Sequence, residues 1–133
     1  MSRQKNTPHA PATEERARYQ TWRHATTFSN YVTIAVDGIQ VGAAPPQAGR
    51  KAIWLHRPEK TPWAILHTMQ RHEVGLEDIV VLELHLRRED VKRHGNGLWY
   101  TYDDISPSAI RAVLSGSAIA RQTPIAPSCS GGA

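Results

Sequence analysis

Phe28-Ser29-Asn30-Tyr31-Val32-Thr33-Ile34-Ala35-Val36-Asp37-Gly38 is the stretch on which the fold turns. Its β-branched alternation from Tyr31 to Val36, followed by Asp37-Gly38, reads as a hairpin continuing through Ile39-Gln40-Val41. The same residues also fit a helix from Phe28 to Asp37, with Gly38 as a left-handed terminator. Phe28, Tyr31, Val32 and Ala35 would then form its apolar face. Local propensity favours the hairpin, and both readings stay open on the residues alone.

Outward from this stretch the elements are short. Tyr19 to Ala25 is a candidate first strand, and Ala52-Ile53-Trp54-Leu55 a buried one. Thr61 suits an N-cap and Pro62 the first helical position, where no amide donor is missed. Trp63, Leu66 and Met69, with Ile65, then supply a helical stripe that Gly75 ends. Ile79 to Leu86 is the strongest strand in the chain. Arg87 to His94 reads as a turn or short helix, and Asn96-Gly97 as a tight turn delivering the aromatic strand Leu98-Trp99-Tyr100-Thr101-Tyr102. Ser106-Pro107 opens another helical turn before a last strand or helix over Ile110 to Leu114. The expected fold class is α/β (α+β), with a small sheet and short helices.

A length of 133 residues allows one domain with a single core. Residues 1–12, interrupted by Pro8 and Pro11, read as a disordered arm, and Thr13 as the cap of a short helix reaching Tyr19. The folded domain is expected over 13–120, with residues 121–133 a disordered tail. Cys129 is the single cysteine, so an intramolecular disulfide is excluded. With no signal-like start and no long apolar run, the expected location is cytoplasmic, without a membrane partner. The net charge of +4 points to an anionic partner: nucleic acid, a dinucleotide, or simply solvent.

Four pieces in order carry a resemblance. They are Arg23-His24-Ala25-Thr26-Thr27 with Gly38-Ile39 downstream, Gly49-Arg50-Lys51-Ala52-Ile53-Trp54-Leu55, Val80-Val81-Leu82-Glu83-Leu84 leading to Gly97-Leu98-Trp99-Tyr100, and Asp104-Ile105-Ser106-Pro107-Ser108-Ala109-Ile110. The succession resembles the ADP-ribosyltransferase-like superfamily, most nearly the catalytic domain of RNA 2′-phosphotransferases, over roughly residues 20–115. Each piece is short, and only order and spacing carry the likeness. The resemblance implies a split β-sheet gripping NAD, or another ADP-ribose-containing ligand, in a cleft. It also implies the helical reading of Phe28 to Asp37, which we adopt because tertiary context overrides a β-branched run.

By that resemblance His24 and Arg50 are the candidate catalytic groups. His24 and Thr26 would hold the nicotinamide-side ribose, an imidazole offering both a donor and an acceptor. Arg50 would meet a phosphate, which a guanidinium binds in bidentate fashion. Trp54, Trp63, Trp99, Tyr100 and Tyr102 are candidates for stacking on nicotinamide or a base, Trp54 and Tyr100 first among them, although core packing is the commoner fate of such aromatics. Tyr100 and Tyr102 share one strand face, with Trp99 on the other. The stretch Asn96 to Tyr100 lacks the glutamate of classical protein ADP-ribosyltransferases, and Glu83, Asp103 and Asp104 lie elsewhere. Nor does the segment 1–18 have the length of the RNA-binding domain that accompanies the 2′-phosphotransferases. Transfer to RNA or another phosphorylated acceptor, or binding without turnover, therefore stand side by side.

A rival reading takes Arg87, Arg88, Lys92, Arg93 and His94 as the footprint of a non-catalytic module contacting nucleic acid or a partner protein. His67 and His72, five apart on one helix, lack chelating spacing, and no metal is expected. Ser128-Cys129-Ser130 has no fixed partner and is set aside as a nucleophile. The oligomeric state is not legible.

Overall fold

The computed structural model describes residues 18–43, 46, 47 and 49–122. The first strand, β1 (Tyr19–Thr27), runs directly into helix α1 (Phe28–Asp37), so the decisive stretch is helical. Its two ends explain the outcome. Thr27, in extended conformation, accepts a hydrogen bond from the Asn30 amide through its hydroxyl, as an N-cap should. Gly38 closes the other end at φ +77°, its N–H reaching the Ile34 carbonyl at 2.7 Å. The face expected for this helix is corrected, however: Ile34 is buried with Tyr31 packed beside it, whereas Phe28, Val32 and Ala35 are exposed.

A pair of two-residue strands, β2 (Pro46–Gln47) and β3 (Arg50–Lys51), forms a separate ribbon before β4 (Ile53–His56). Helix α2 (Thr61–His72) follows with Pro62 in its first turn. Two expectations for it are corrected. Lys60 occupies the cap position, while the Thr61 hydroxyl is buried and accepts from Arg23 Nη1 at 3.0 Å instead. The helix ends at Glu73, in left-handed conformation at φ 55°, ahead of Gly75.

Strand β5 (Ile79–Arg87) is followed by a 3-10 turn at Arg88–Asp90 and by β6 (Lys92–Gly95). The segment expected to be only a turn or short helix thus ends in a strand. Asn96 and Gly97 both take positive φ, the backbone of a two-residue hairpin turn, and lead into β7 (Leu98–Thr101). Ser106 caps the turn Pro107–Ala109 through its hydroxyl, β8 (Ile110–Ser115) is a strand, and α3 (Gly116–Gln122) closes the described chain. That last helix runs to Gln122, beyond the expected domain boundary at 120. Tyr19 belongs to β1 rather than to a preceding helix, and the remaining expectations for residues 1–17 and 123–133 fall outside the described residues.

The protein is a mixed α+β fold whose six-stranded antiparallel sheet runs in the order β6-β7-β4-β1-β5-β8. Strand alternation sends Trp22, Leu82, Leu84, Ile53 and Leu55 to one face, where Ile34 of α1, Ile39 and Ile105 cover them. The opposite face gathers Ile79, Val81, Ile65 of α2 and Ile119 of α3. Trp22, almost wholly buried, meets Trp99 edge-on with centroids 6.1 Å apart. Within this layering the β-branched stretch 31–36 is held as a helix by the Thr27 cap and the Gly38 terminator, with Ile34 packed onto the sheet. Among the described residues no helix is long and apolar enough to cross a membrane.

Candidate functional site

The central strands are unequally joined. β1 pairs with β5 along its whole length, from Tyr19↔Arg87 to Thr27↔Ile79. With β4 it shares one register pair, Arg23↔His56. Beyond that pair the strands diverge, and a cleft of about 750 Å³ opens between them, bounded by α1 and α2. That volume lies within the roughly 300–1,000 Å³ of small-molecule sites.

His24 and Thr26 stand on one face of β1 at the opening, both lining the cleft. The His24 Nδ1 lies 2.8 Å from the Trp54 carbonyl oxygen, bridging the gap between the diverging strands. A carbonyl can only accept, so Nδ1 carries the proton and Nε2 keeps its lone pair. Burial pushes the imidazole pKa below its ordinary value, which keeps the ring neutral. His24 is therefore a fixed tautomer with an acceptor nitrogen. The Thr26 hydroxyl accepts from Asn30 Nδ2 at 3.4 Å, tying the strand end to the first turn of α1.

His56 is a member of the site that sequence reasoning missed. It lines the same cleft with only 3% of its surface exposed, and its Nε2 has no hydrogen-bond partner among the described residues. Burial first, then the charges of His24 and Arg23, lower its pKa to about 3. A buried ring nitrogen without a partner, in the wall of a cleft, is an atom for a ligand or water to satisfy. The only hint in the sequence was its position at the end of an apolar run.

Trp54 stands in the cleft lining. The edge of its ring system meets His94, centroids 4.9 Å apart, and Tyr100 lies at 5.5 Å. A register shift between Arg93 and Gly95 leaves His94 unpaired, the device by which a bulge re-aims a side chain. Tyr100 itself is not in the lining; it packs between Trp54 and Tyr102.

Arg50 is likewise outside the lining. Its guanidinium lies 4.1 Å from the centre of the Tyr102 ring, so it is linked to Trp54 only through Tyr102 and Tyr100. The expectation that His24 and Arg50 share one groove is thus corrected. The physical reason is local: residues 50–51 pair with 46–47 in their own ribbon and do not extend β4 into the cleft. Arg71 of α2 is the arginine that does line it.

Among the described residues no Asp or Glu lines the cleft, whereas His24, His56, His67, His72, His94 and Arg71 all do. His67 and His72, expected on different helix faces, both border this wide opening. Glu83 is engaged elsewhere, its carboxylate 2.8 Å from Arg23 Nη2. The Asp104 carboxylate accepts from the Val41 amide. Among the described residues no three His, Cys, Asp or Glu side chains gather as a metal site.

The basic footprint is only partly free. Arg87 is paired with Glu89 at 2.9 Å, while Arg88, Lys92 and Arg93 are exposed, the last two on edge strand β6. Cys129 lies outside the described residues. No family model matches the chain, and no curated protein matches it either.

Proposed function

We propose that this is an NAD-binding protein of the ADP-ribosyltransferase-like kind, in which group transfer takes place at a ribose held in the cleft between β1 and β4. One observation carries the reading: a neutral histidine of fixed tautomer, His24, stands where the sheet splits and opens into a cleft free of carboxylates. The donor set suits the ligand. Nε2 of His24 is an acceptor for a ribose hydroxyl, and His56 on β4, across from β1, lines the same cleft with an Nε2 that has no partner among the described residues. Trp54 offers aromatic surface, Thr26 and Asn30 offer polar groups at the rim, and Arg71 offers positive charge for phosphate.

NAD, when bound, supplies a ribose already joined to a good leaving group. The protein's role is to position that ribose, to keep negative side chains away from the phosphates, and to exclude water between α1 and α2. With no carboxylate in the lining, no side chain there can act as the glutamate of the classical protein-modifying enzymes. This favours an acceptor that brings its own negative charge, such as RNA or another phosphorylated molecule. A cytoplasmic location accords with this reading and with a chain that has a single cysteine.

Isothermal titration with NAD tests the proposal. Millimolar or tighter binding that weakens about tenfold or more in His24→Ala, with the melting temperature retained, is expected. Absence of heat at millimolar NAD overturns it. A non-catalytic nucleic-acid module is the second reading, favoured by the exposed Lys92 and Arg93 along a free sheet edge. Binding to RNA or DNA that falls steeply with salt and ignores His24→Ala would decide for it.

A further inference from the structure

Helix α2 carries its residues in an inverted arrangement. Its sheet-facing side is small or branched, with Thr61, Ala64, Ile65 and Thr68 buried. Its largest side chain, Trp63, is 43% exposed and lines the cleft. The sequence pattern had placed Trp63 in the apolar stripe, and the structure removes it from the core. A large aromatic in the lining of a cleft offers contact surface to a ligand.

Trp63, His67 and Arg71 follow one another at helical spacing of four, so they form a single stripe along the cleft wall. The His67 ring lies parallel to Trp63, with an interplanar angle of 8° and centroids 4.9 Å apart. That stack covers one face of the indole and leaves the opposite face for a ligand. The Lys60 ammonium is 5.4 Å from the indole centre, which puts a cation at the near end of the stripe and Arg71 at the far end. Flat aromatic surface, flanking cations and an acid-free cleft match a base that carries phosphate.

We propose that this α2 wall is a purine-nucleotide subsite, on which a base stacks against the face of Trp63 that His67 leaves uncovered while Arg71 pairs with its phosphate. The subsite rests on the proposed function only in assigning the adenosine half of a dinucleotide to this wall, leaving the other half to His24 and His56. Stacking supplies affinity without demanding a sequence of hydrogen bonds, and a guanidinium suits phosphate geometry better than the histidines around it.

The test uses the full chain and three probes: adenosine 5′-monophosphate, nicotinamide mononucleotide and NAD. Trp63→Leu and Arg71→Gln, both at exposed positions, are each expected to weaken adenosine monophosphate binding roughly tenfold. Trp63→Phe should recover some of the loss, because a ring is restored. Nicotinamide mononucleotide should be unaffected by these changes and sensitive to His24→Ala. Adenosine monophosphate that does not bind at millimolar concentration, or binds equally well to both variants, overturns the subsite even where NAD binds. Loss of adenosine monophosphate binding in the variants, with NAD binding indifferent to His24→Ala, keeps the subsite and defeats the proposed function. Should Trp63→Leu fail to fold, Arg71→Gln decides alone.

Discussion

Acid should destabilise this protein through His56 before its carboxylates titrate. The ring is buried, and its pKa falls from 6.5 to about 3, burial being the largest cause and the charges of His24 and Arg23 the next. A depressed histidine pKa means that protons bind the unfolded chain first. Stability is therefore full above about pH 6.5, declines as pH falls below it, and stops declining near the folded value of about 3. Each pH unit within that window removes about 1.4 kcal/mol per such group, so lowering the pH from 7 to 5 should remove about 2 kcal/mol through His56 alone. His24, also depressed by burial, acts in the same direction. Against a typical stability of roughly 5–15 kcal/mol this is a large share. Urea unfolding at a series of pH values between about 7.5 and 5 measures it, compared with His56→Gln, which cannot titrate. The substitution will lower stability in its own right, so the informative quantity is slope. The variant's curve should be flatter by about 2 kcal/mol across the interval, while contributions common to both chains, such as the Arg23–Glu83 pair, cancel. Parallel curves would refute the reasoning, since they would mean that His56 takes up its proton in the folded state without penalty.

Gly38→Ala should destabilise the protein by several kcal/mol, judged by chemical denaturation. The position combines φ +77° with a point where an added Cβ would fall 2.1 Å from the Ile105 carbonyl oxygen, so both the α1 terminus and the Ile39–Ile105 bridge must move. Glu83→Gln should lower stability by about 1–2 kcal/mol, because it leaves the half-buried Arg23 without its carboxylate partner. Binding of NAD should be unchanged in that variant, measured by titration; a loss of affinity with stability intact would give Glu83 a role at the ligand.

The elements with strong local signals were legible from their residues. Ile79 to Leu86 is a strand whichever partner it finds, and Asn96-Gly97 makes a tight turn because it tolerates positive φ at two successive positions. The helix at 61–72 was legible as a helix, but not in its cap residue, in its end ahead of Gly75 or in which side it buries. Helical spacing identifies candidate stripes without saying which one meets the sheet. In this chain the small stripe packs inward and leaves Trp63 to the cleft. His24, Thr26 and Trp54 do converge on one cleft, whereas Arg50 and Tyr100 stand outside its lining.

By itself, then, the chain determined its strongest strands, the Asn96-Gly97 turn, its mixed α+β class and a histidine on its first strand, because these depend on neighbours within a few residues. Tertiary structure decided the rest. It made residues 28–37 a helix, since Ile34 of that stretch packs onto the sheet face presented by Trp22, Leu82 and Leu84. It also placed His24, His56 and the α2 stripe around one opening, since the divergence of β1 from β4 depends on pairings between residues far apart in sequence. Long-range pairing of this kind leaves no mark on local periodicity, and the shape of the cleft follows from it.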